Sequence, residues 1–277
     1  MVLIFSLETS VIGLVEALER EGHKVKVISN NWAGIFPVDE IIKEHNPSII
    51  YNNMPAIKVP YGDYKYIGPS QGAARLELCK WETRWKAEKI GFKLPAVLEE
   101  CKMNTKSVFK DTVYLKPKFQ ESTHCAWKIL PGYDIHSIGL SPTPAYIEED
   151  IKPDMSAKCR FTICNGKYQI EHISGNTYNG EDKFPDTMME KWPEIGVWVS
   201  LPNEKFSYLC QKWLDYAVTL GGNYSGEIEA GVKGDDIYWY EQNCRRITHG
   251  RFIGSGQAWL DSLTVDPSKA LEAKWLY

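Results

Sequence analysis

Apolar residues along this chain change their spacing several times, and each change marks an element. Residues 2–7, VLIFSL, form an unbroken apolar run of strand length. Thr9 or Ser10 then caps a helix through VIGLVEALERE, which stops at Gly22. KVKVIS (24–29) alternates apolar and polar residues and reads as a second strand. A helix is predicted over 37–45 and a strand over SIIYN (48–52). Strands alternating with helices imply a small parallel α/β unit. Gly13 stands alone after the first strand, so the G-x-G-x-x-G dinucleotide fingerprint is absent.

Further on, GPSQGAARLELCKWETRWKAEKIGFKLP (68–95) predicts one helix after Ser70. Ala73, Leu76, Trp81, Trp85 and Ile90 recur near helical spacing, Gly91 ends the run, and Pro95 restarts the chain in extended form. TVYLKPKF (112–119) and HCAWKIL (124–130) read as a hairpin, and AYIEEDI (145–151) as a third strand. KCRFTIC-NG-KYQIEHI (158–173) is a stronger hairpin signal, because Asn165-Gly166 supplies the positive φ angles of a tight turn. Residues 174–203 are polar, rich in Gly, Pro and Asn, and read as a long loop of the functional kind. Over 204–220 the apolar residues Phe206, Leu209, Cys210, Trp213, Tyr216, Ala217 and Leu220 share one helical face. SGEIEAGV (225–232), the turn KGDD and IYWYEQNC (237–244) predict a last hairpin. The fold class is therefore α/β at first and α+β in the second part.

Composition narrows the classes. The 277 residues suit about two domains of roughly 100–200 residues each. Hydrophobic residues at 43% and charged residues at 25% exclude a disordered chain or a fibrous repeat. A formal net charge of −4 removes any bulk electrostatic footprint for nucleic acid or an anionic membrane. The seven cysteines are scattered without a C-x-x-C pair, which points to reduced thiols rather than a structural zinc site. The amino terminus lacks a basic leader and is interrupted by Glu8 and Glu16, and no run approaches the roughly 18 apolar residues of a membrane helix. A cytoplasmic protein without a membrane partner is expected. The ten tryptophans suit a core or an interface alike, so a homo-oligomer stays open.

The stretch GEIEAGVKGDDIYWYEQNCRR carries the chemistry. If the hairpin closes at KGDD, Glu229 on one strand meets Glu241 and Asn243 on the next, and Glu227 shares the face of Glu229. Two carboxylates and an amide oxygen suit Mg²⁺, which fills the rest of its shell with water and phosphate. Glu241 follows the apolar run Ile237–Tyr240, and an acid in a strand that favours burial needs a partner. Arg245, two residues past Asn243, is placed to stabilise charge on a transferring phosphoryl group. The alternative is a solvated hairpin with ordinary charges.

Four motifs in order resemble the ATP-grasp superfamily. GPSQGAARLELCKW is similar to the GPS…AA.LE..K pattern of glycinamide ribonucleotide synthetase and the biotin carboxylase group. VYLKPK resembles the strand with the nucleotide-phosphate lysine, and AYIEEDI the hinge strand that holds adenine. The acidic hairpin ends in E-x-N-x-R, twelve residues separating Glu229 from Glu241. The resemblance covers about 66–250. It implies a pre-ATP-grasp α/β domain at 1–72 and an ATP-grasp domain at 73–277, the latter made of two antiparallel sheet subdomains enclosing ATP, with a lid at about 108–150.

That resemblance implies an ADP-forming carboxylate–amine ligase working through an acyl phosphate. Lys80 and Lys116 would contact the ATP phosphates. Glu148, with the backbone from Glu149 to Ile151, would hold adenine, and Glu149 or Asp154 the ribose hydroxyls. Glu229, Glu241 and Asn243 would bind Mg²⁺, with Mn²⁺ as the substitute ion. Arg245, with Lys116, would steady the reacting groups. Small-molecule carboxylate and amine substrates are the implied partners, with Arg160, Arg246, His249 and Arg251 as acceptor-side candidates and His172 as a weaker one. One departure concerns the lid turn FQESTHCAW, which has no glycine; Ser122, Thr123 and His124 would have to clamp phosphate with side chains. A kinase without an amine acceptor, or a nonenzymatic nucleotide-binding protein, are the alternative readings.

Overall fold

Val2–Phe5 (β1) is apolar at every position because both its faces are covered: Val2 and Ile4 point to one buried cluster, Leu3 and Phe5 to another. The computed structural model describes residues 1–6, 11–29, 37–101, 107–119, 127–133, 144–177, 199–200, 203–245, 251–252, 254–273 and 275–276. Around β1 stand α1 (Ile12–Arg20), β2 (Val25–Ile28), α2 (Val38–His45), β3 (Ile49–Asn52) and β4 (Lys65–Pro69). The four strands pair in parallel in the order β2-β1-β3-β4, as the alternating pattern implied. The expected cap at Thr9 or Ser10 lies outside the described residues.

The single helix expected after Ser70 is two. The Ser70 hydroxyl accepts from the Ala73 N–H at 3.0 Å and opens α3 (Gln71–Leu78). Cys79 then leaves helical geometry at φ −113° and ψ 67°, and α4 (Lys80–Ile90) begins. Apolar spacing is continuous across this break, so periodicity alone does not reveal it. Locally the Thr83 hydroxyl compensates, donating to the carbonyls of Leu76 at 3.1 Å and Cys79 at 2.9 Å.

A separate antiparallel sheet follows, with β5 (Val97–Cys101), β6 (Val113–Pro117), β7 (Trp127–Ile129) and β8 (Ala145–Glu149) in the order β5-β8-β6-β7. Its own core comprises Cys101, Val113, Leu115, Ile129, Ala145 and Ile147. The sheet takes in β5, ahead of residue 108 where the lid was expected to begin.

Next come β9 (Met155–Cys164), β10 (Lys167–Thr177), β11 (Val199–Ser200), α5 (Glu204–Thr219), β12 (Gly222–Lys233) and β13 (Asp236–Asn243). Asn165 and Gly166 turn the β9–β10 hairpin at φ 51° and 72°, the geometry that dipeptide favours. Strand pairing in β10 runs on to Thr177, into the segment read as loop. Along α5 the expected face is buried, with Phe206, Cys210, Trp213 and Ala217 fully so. It covers the apolar side of β9, β12 and β13.

β12 unites two halves of the architecture. It pairs with β9 and β13, and its first residues pair antiparallel with β4 at Gly222↔Pro69 and Asn223↔Gly68. The parallel unit and the antiparallel sheet thus form one nine-stranded sheet. Gly222 makes this possible: its φ is +97°, and a Cβ there would lie 2.4 Å from the Ser70 nitrogen and 2.9 Å from the Gly68 carbonyl oxygen. Gly222→Ala is expected to cost about 1–3 kcal/mol for the strained backbone, read as a lower urea midpoint; an unchanged midpoint would contradict this account of the joint.

After β14 (Arg251–Phe252), α6 (Gly256–Thr264) and a 3₁₀ turn over Pro267–Leu271 precede β15 (Trp275–Leu276), which pairs with β14. Trp259, Leu260 and Leu263 of α6 join Val2, Ile4 and Leu14 in one cluster. The carboxy-terminal segment therefore returns to the first sheet, an element that was not anticipated. No helix among the described residues is long and apolar enough to cross a membrane.

Candidate active site

Strand alternation separates two faces of the β10-β9-β12-β13 sheet. Cys159, Phe161, Ile163, Ile228 and Ala230 turn toward α5. Lys158, Arg160, Thr162, Ser225, Glu227 and Glu229 take the other side. Cross-strand register then builds two polar rows. The first reads Ser174, Lys158, Glu229, Glu241; the second reads His172, Arg160, Glu227, Asn243. The hairpin closes around the expected turn, and a bulge at Tyr240 shifts the register so that Glu229 stands opposite Glu241 and Glu227 opposite Asn243.

The acids here are buried and partnered. Asn243 Nδ2 lies 3.2 Å from Glu241 Oε1 and 3.4 Å from Glu229 Oε1, bridging the two carboxylates. Lys80, at the start of α4, forms an ion pair with Glu241 Oε2. Lys158 Nζ lies 3.1 Å from Glu229 Oε1 and 3.5 Å from Glu227 Oε2, while Arg160 Nε donates to Glu227 Oε1 at 3.0 Å. Burial pushes the Glu229 carboxyl up to about 7, against Lys158 and with help from Glu241 and Glu227. Burial also acts on Glu241, but Lys80, Lys116 and Asn243 outweigh it and hold that carboxyl at about 2. Of the facing pair, Glu241 is the firmly ionised member. Burial, and then Arg160, hold the His172 ring below its usual value, favouring neutral imidazole.

The second sheet supplies the opposite wall. Lys116 of β6 and Glu148 of β8 form a buried ion pair, and Lys116 lowers the proton affinity of both Lys80 and Glu241. Arg84 of α4 approaches Glu148 at 4.0 Å, donates to the Pro95 carbonyl at 2.5 Å, and lies 5.1 Å from the Tyr146 ring centroid. Its Nη1 has no hydrogen-bond partner among the described residues. Arg245 is held from α3: its Nε donates to Glu77 Oε1 at 2.8 Å, and Glu77 Oε2 accepts the Cys244 N–H at 2.8 Å. The antiparallel part of the nine-stranded sheet and the four-stranded sheet therefore meet with lysines and acids between them.

No protein-family model matches the chain, and no curated protein matches it in sequence. Solved structures do match in three dimensions. An L-amino acid ligase from Bacillus licheniformis superposes with a TM-score of 0.64 at 12% identity, covering 99% of this chain and 77% of that one. A phosphoribosylamine–glycine ligase from Thermotoga maritima gives 0.63 at 13% identity, covering 99% and 76%. A carboxyaminoimidazole ribonucleotide synthase from Aspergillus clavatus, complexed with ATP, gives 0.59 at 17% identity, covering 90% and 71%. These are ATP-grasp proteins. The chain has the ATP-grasp fold.

Within this ATP-grasp fold the expected residues divide into three groups. Lys80, Lys116, Glu148, Glu229, Glu241, Asn243, Arg160 and Arg245 line the polar region between the sheets. Glu149, Ile151 and Asp154 are engaged nearby: Glu149 Oε1 accepts the Ala96 N–H at 2.9 Å, the Ile151 carbonyl accepts from Lys233 at 2.6 Å, and Asp154 Oδ2 accepts the Gly234 N–H at 2.8 Å. Arg246 and His249 lie outside the described residues, as do Ser122, Thr123 and His124; Arg251 is described in its backbone only. Three further site residues went unassigned from the sequence. Glu77 belongs to the quoted LE..K motif, and Lys158 alternates with Cys159 toward the polar side, so both left a signal. Arg84 left none, because its role depends on how α4 meets the second sheet.

The donor set fits a hard divalent cation. Glu229 Oε2 is buried and accepts no hydrogen bond from the described residues, on the residue that pairs with Glu241 across the hairpin. A buried carboxylate oxygen without a donor is costly unless a cation or a proton takes it. No group of three or more His, Cys, Asp or Glu side chains gathers at one point among the described residues. Two carboxylates are enough for Mg²⁺, which keeps several waters and phosphate oxygens, and the Asn243 amide would join them by turning Oδ1 inward in place of Nδ2.

Proposed function

We propose that this chain is an ATP-dependent carboxylate–amine ligase that forms an amide through an acyl phosphate and releases ADP and phosphate. The observation that carries the reading is the ion pair of Lys80 with Glu241, opposite Glu229 and beside Asn243, with Lys116 of the second sheet close enough to act on both Lys80 and Glu241. Likeness to solved ligases supports the reaction class. In this proposal residues 1–72 are the preceding α/β domain and 73–277 the nucleotide-binding domain, with Phe252, Trp259, Leu260, Leu263 and Ala273 packed back on the first. Small carboxylate and amine molecules in the cytoplasm are its substrates.

The chemistry follows from charge. A substrate carboxylate oxygen attacks the γ-phosphorus, the bond to ADP breaks, and anions are driven together. Lys80 keeps Glu241 and reaches phosphate oxygens with its remaining donors, and Lys116 adds a second ammonium beside it. Arg245, already oriented by Glu77, steadies the acyl phosphate. Glu229, Glu241 and Asn243 would hold Mg²⁺, which neutralises phosphate charge and fixes the line of attack. An amine nitrogen then attacks the acyl carbon, phosphate leaves, and the amine's proton passes to solvent. Glu148, with the backbone of Glu149 to Ile151, would border the adenine, and Asp154 or Glu149 the ribose.

The test is ADP release from ATP and Mg²⁺ across a panel of paired carboxylates and amines. Expected is ADP and an amide with at least one pairing. Nucleotide binding without ADP formation for any pairing overturns ligation.

A further inference from the structure

Lys158 is a buried cation that the proposed reaction does not use. Its side chain is 12% exposed, and its ammonium stands 3.1 Å from Glu229 and 3.5 Å from Glu227. Register fixes it beside Glu229, with Ser174 on its other flank. An ammonium has three donors and no acceptor, so this group binds carboxylate oxygens as a metal ion would.

The carboxylate oxygens are accordingly shared out. Glu229 Oε1 faces Lys158, and Glu241 Oε2 faces Lys80. Glu229 Oε2 has no donor among the described residues, and Glu241 Oε1 meets only the Asn243 amide among the contacts resolved for it. Each acid thus offers one oxygen to a divalent ion. One ion between them is satisfied. A second ion on Glu229 would have to stand against Lys158 at like-charge distance inside a buried site.

We infer that Lys158 takes the place of a second metal ion, so that the chain binds a single divalent cation per nucleotide. This rests on reading Glu229, Glu241 and Asn243 as the metal set of a nucleotide site. Lys158 is a positioning residue for Glu229, not a group that touches substrate.

Counting bound metal tests it. Mn²⁺ is titrated into the full chain saturated with a β,γ-imido ATP analogue, and bound ion is counted from loss of the free Mn²⁺ paramagnetic resonance signal. Calorimetry follows the analogue separately. One ion per chain is expected for the wild type and for Lys158→Arg, and two for Lys158→Met, the second binding at least tenfold tighter than any second ion on the wild type. Lys158→Gln serves if the Met variant does not fold. Two ions on the wild type overturn the inference and leave the ligase reading standing. One ion on a folded, analogue-binding Lys158→Met or Lys158→Gln chain does the same. A wild type that binds no analogue overturns the ligase reading, and this inference with it.

Discussion

Glu241→Gln should lower the rate of ADP release by about 10³-fold while nucleotide still binds. Glu241 is the acid that Lys80, Lys116 and Asn243 together keep ionised, so it carries the charge a divalent ion would seek. Glutamine keeps the shape and one acceptor oxygen but removes that charge. It also frees Lys80 from its ion pair, so metal-free nucleotide affinity should hold steady or tighten. This opposite movement of binding and turnover separates a lost metal ligand from simple unfolding. A thermal melt controls for stability, because breaking a buried ion pair is itself destabilising. ADP release within threefold of the wild type would refute the assigned role.

The parts of the site that were legible in the sequence lie within single elements. Glu227 and Glu229 share a face by alternation along one strand, as do Glu241 and Asn243 along the next, but their pairing across the hairpin depends on a bulge at Tyr240 that alternation from the turn does not predict. The α5 face and the Asn165-Gly166 turn were legible for the same reason: a periodic signal or a dipeptide with a backbone preference. What escaped depends on contacts between distant segments. Glu77 and Arg245 are 168 residues apart, and Arg84 meets Glu148 across two elements. The break at Cys79 escaped because helical spacing continues through it, although that break places Lys80 at the head of a new helix. The return of α6 to the first sheet escaped because nothing in the short segment 256–264 names its neighbours.

Glu77→Ala should destabilise the fold by about 3–5 kcal/mol, because it leaves a buried guanidinium without its counter-ion. Arg245 is 11% exposed and Glu77 8%, so water cannot replace the lost carboxylate cheaply. Burial lowers the proton affinity of Arg245, but Glu77 more than compensates and keeps it raised. The same substitution strips the acceptor from the Cys244 N–H, adding an unsatisfied backbone donor. Glu77→Gln retains one acceptor for that N–H and should lose less. Urea denaturation of the three chains measures the order, wild type above Gln above Ala. In the proposed reaction α3 holds Arg245 beside the row of Glu229 and Glu241, so a Glu77→Gln chain that folds should still show lower turnover than the wild type. A loss below about 1 kcal/mol for Glu77→Ala would mean that Arg245 finds other partners, and the proposed alignment of Arg245 with the acyl phosphate would lose its support.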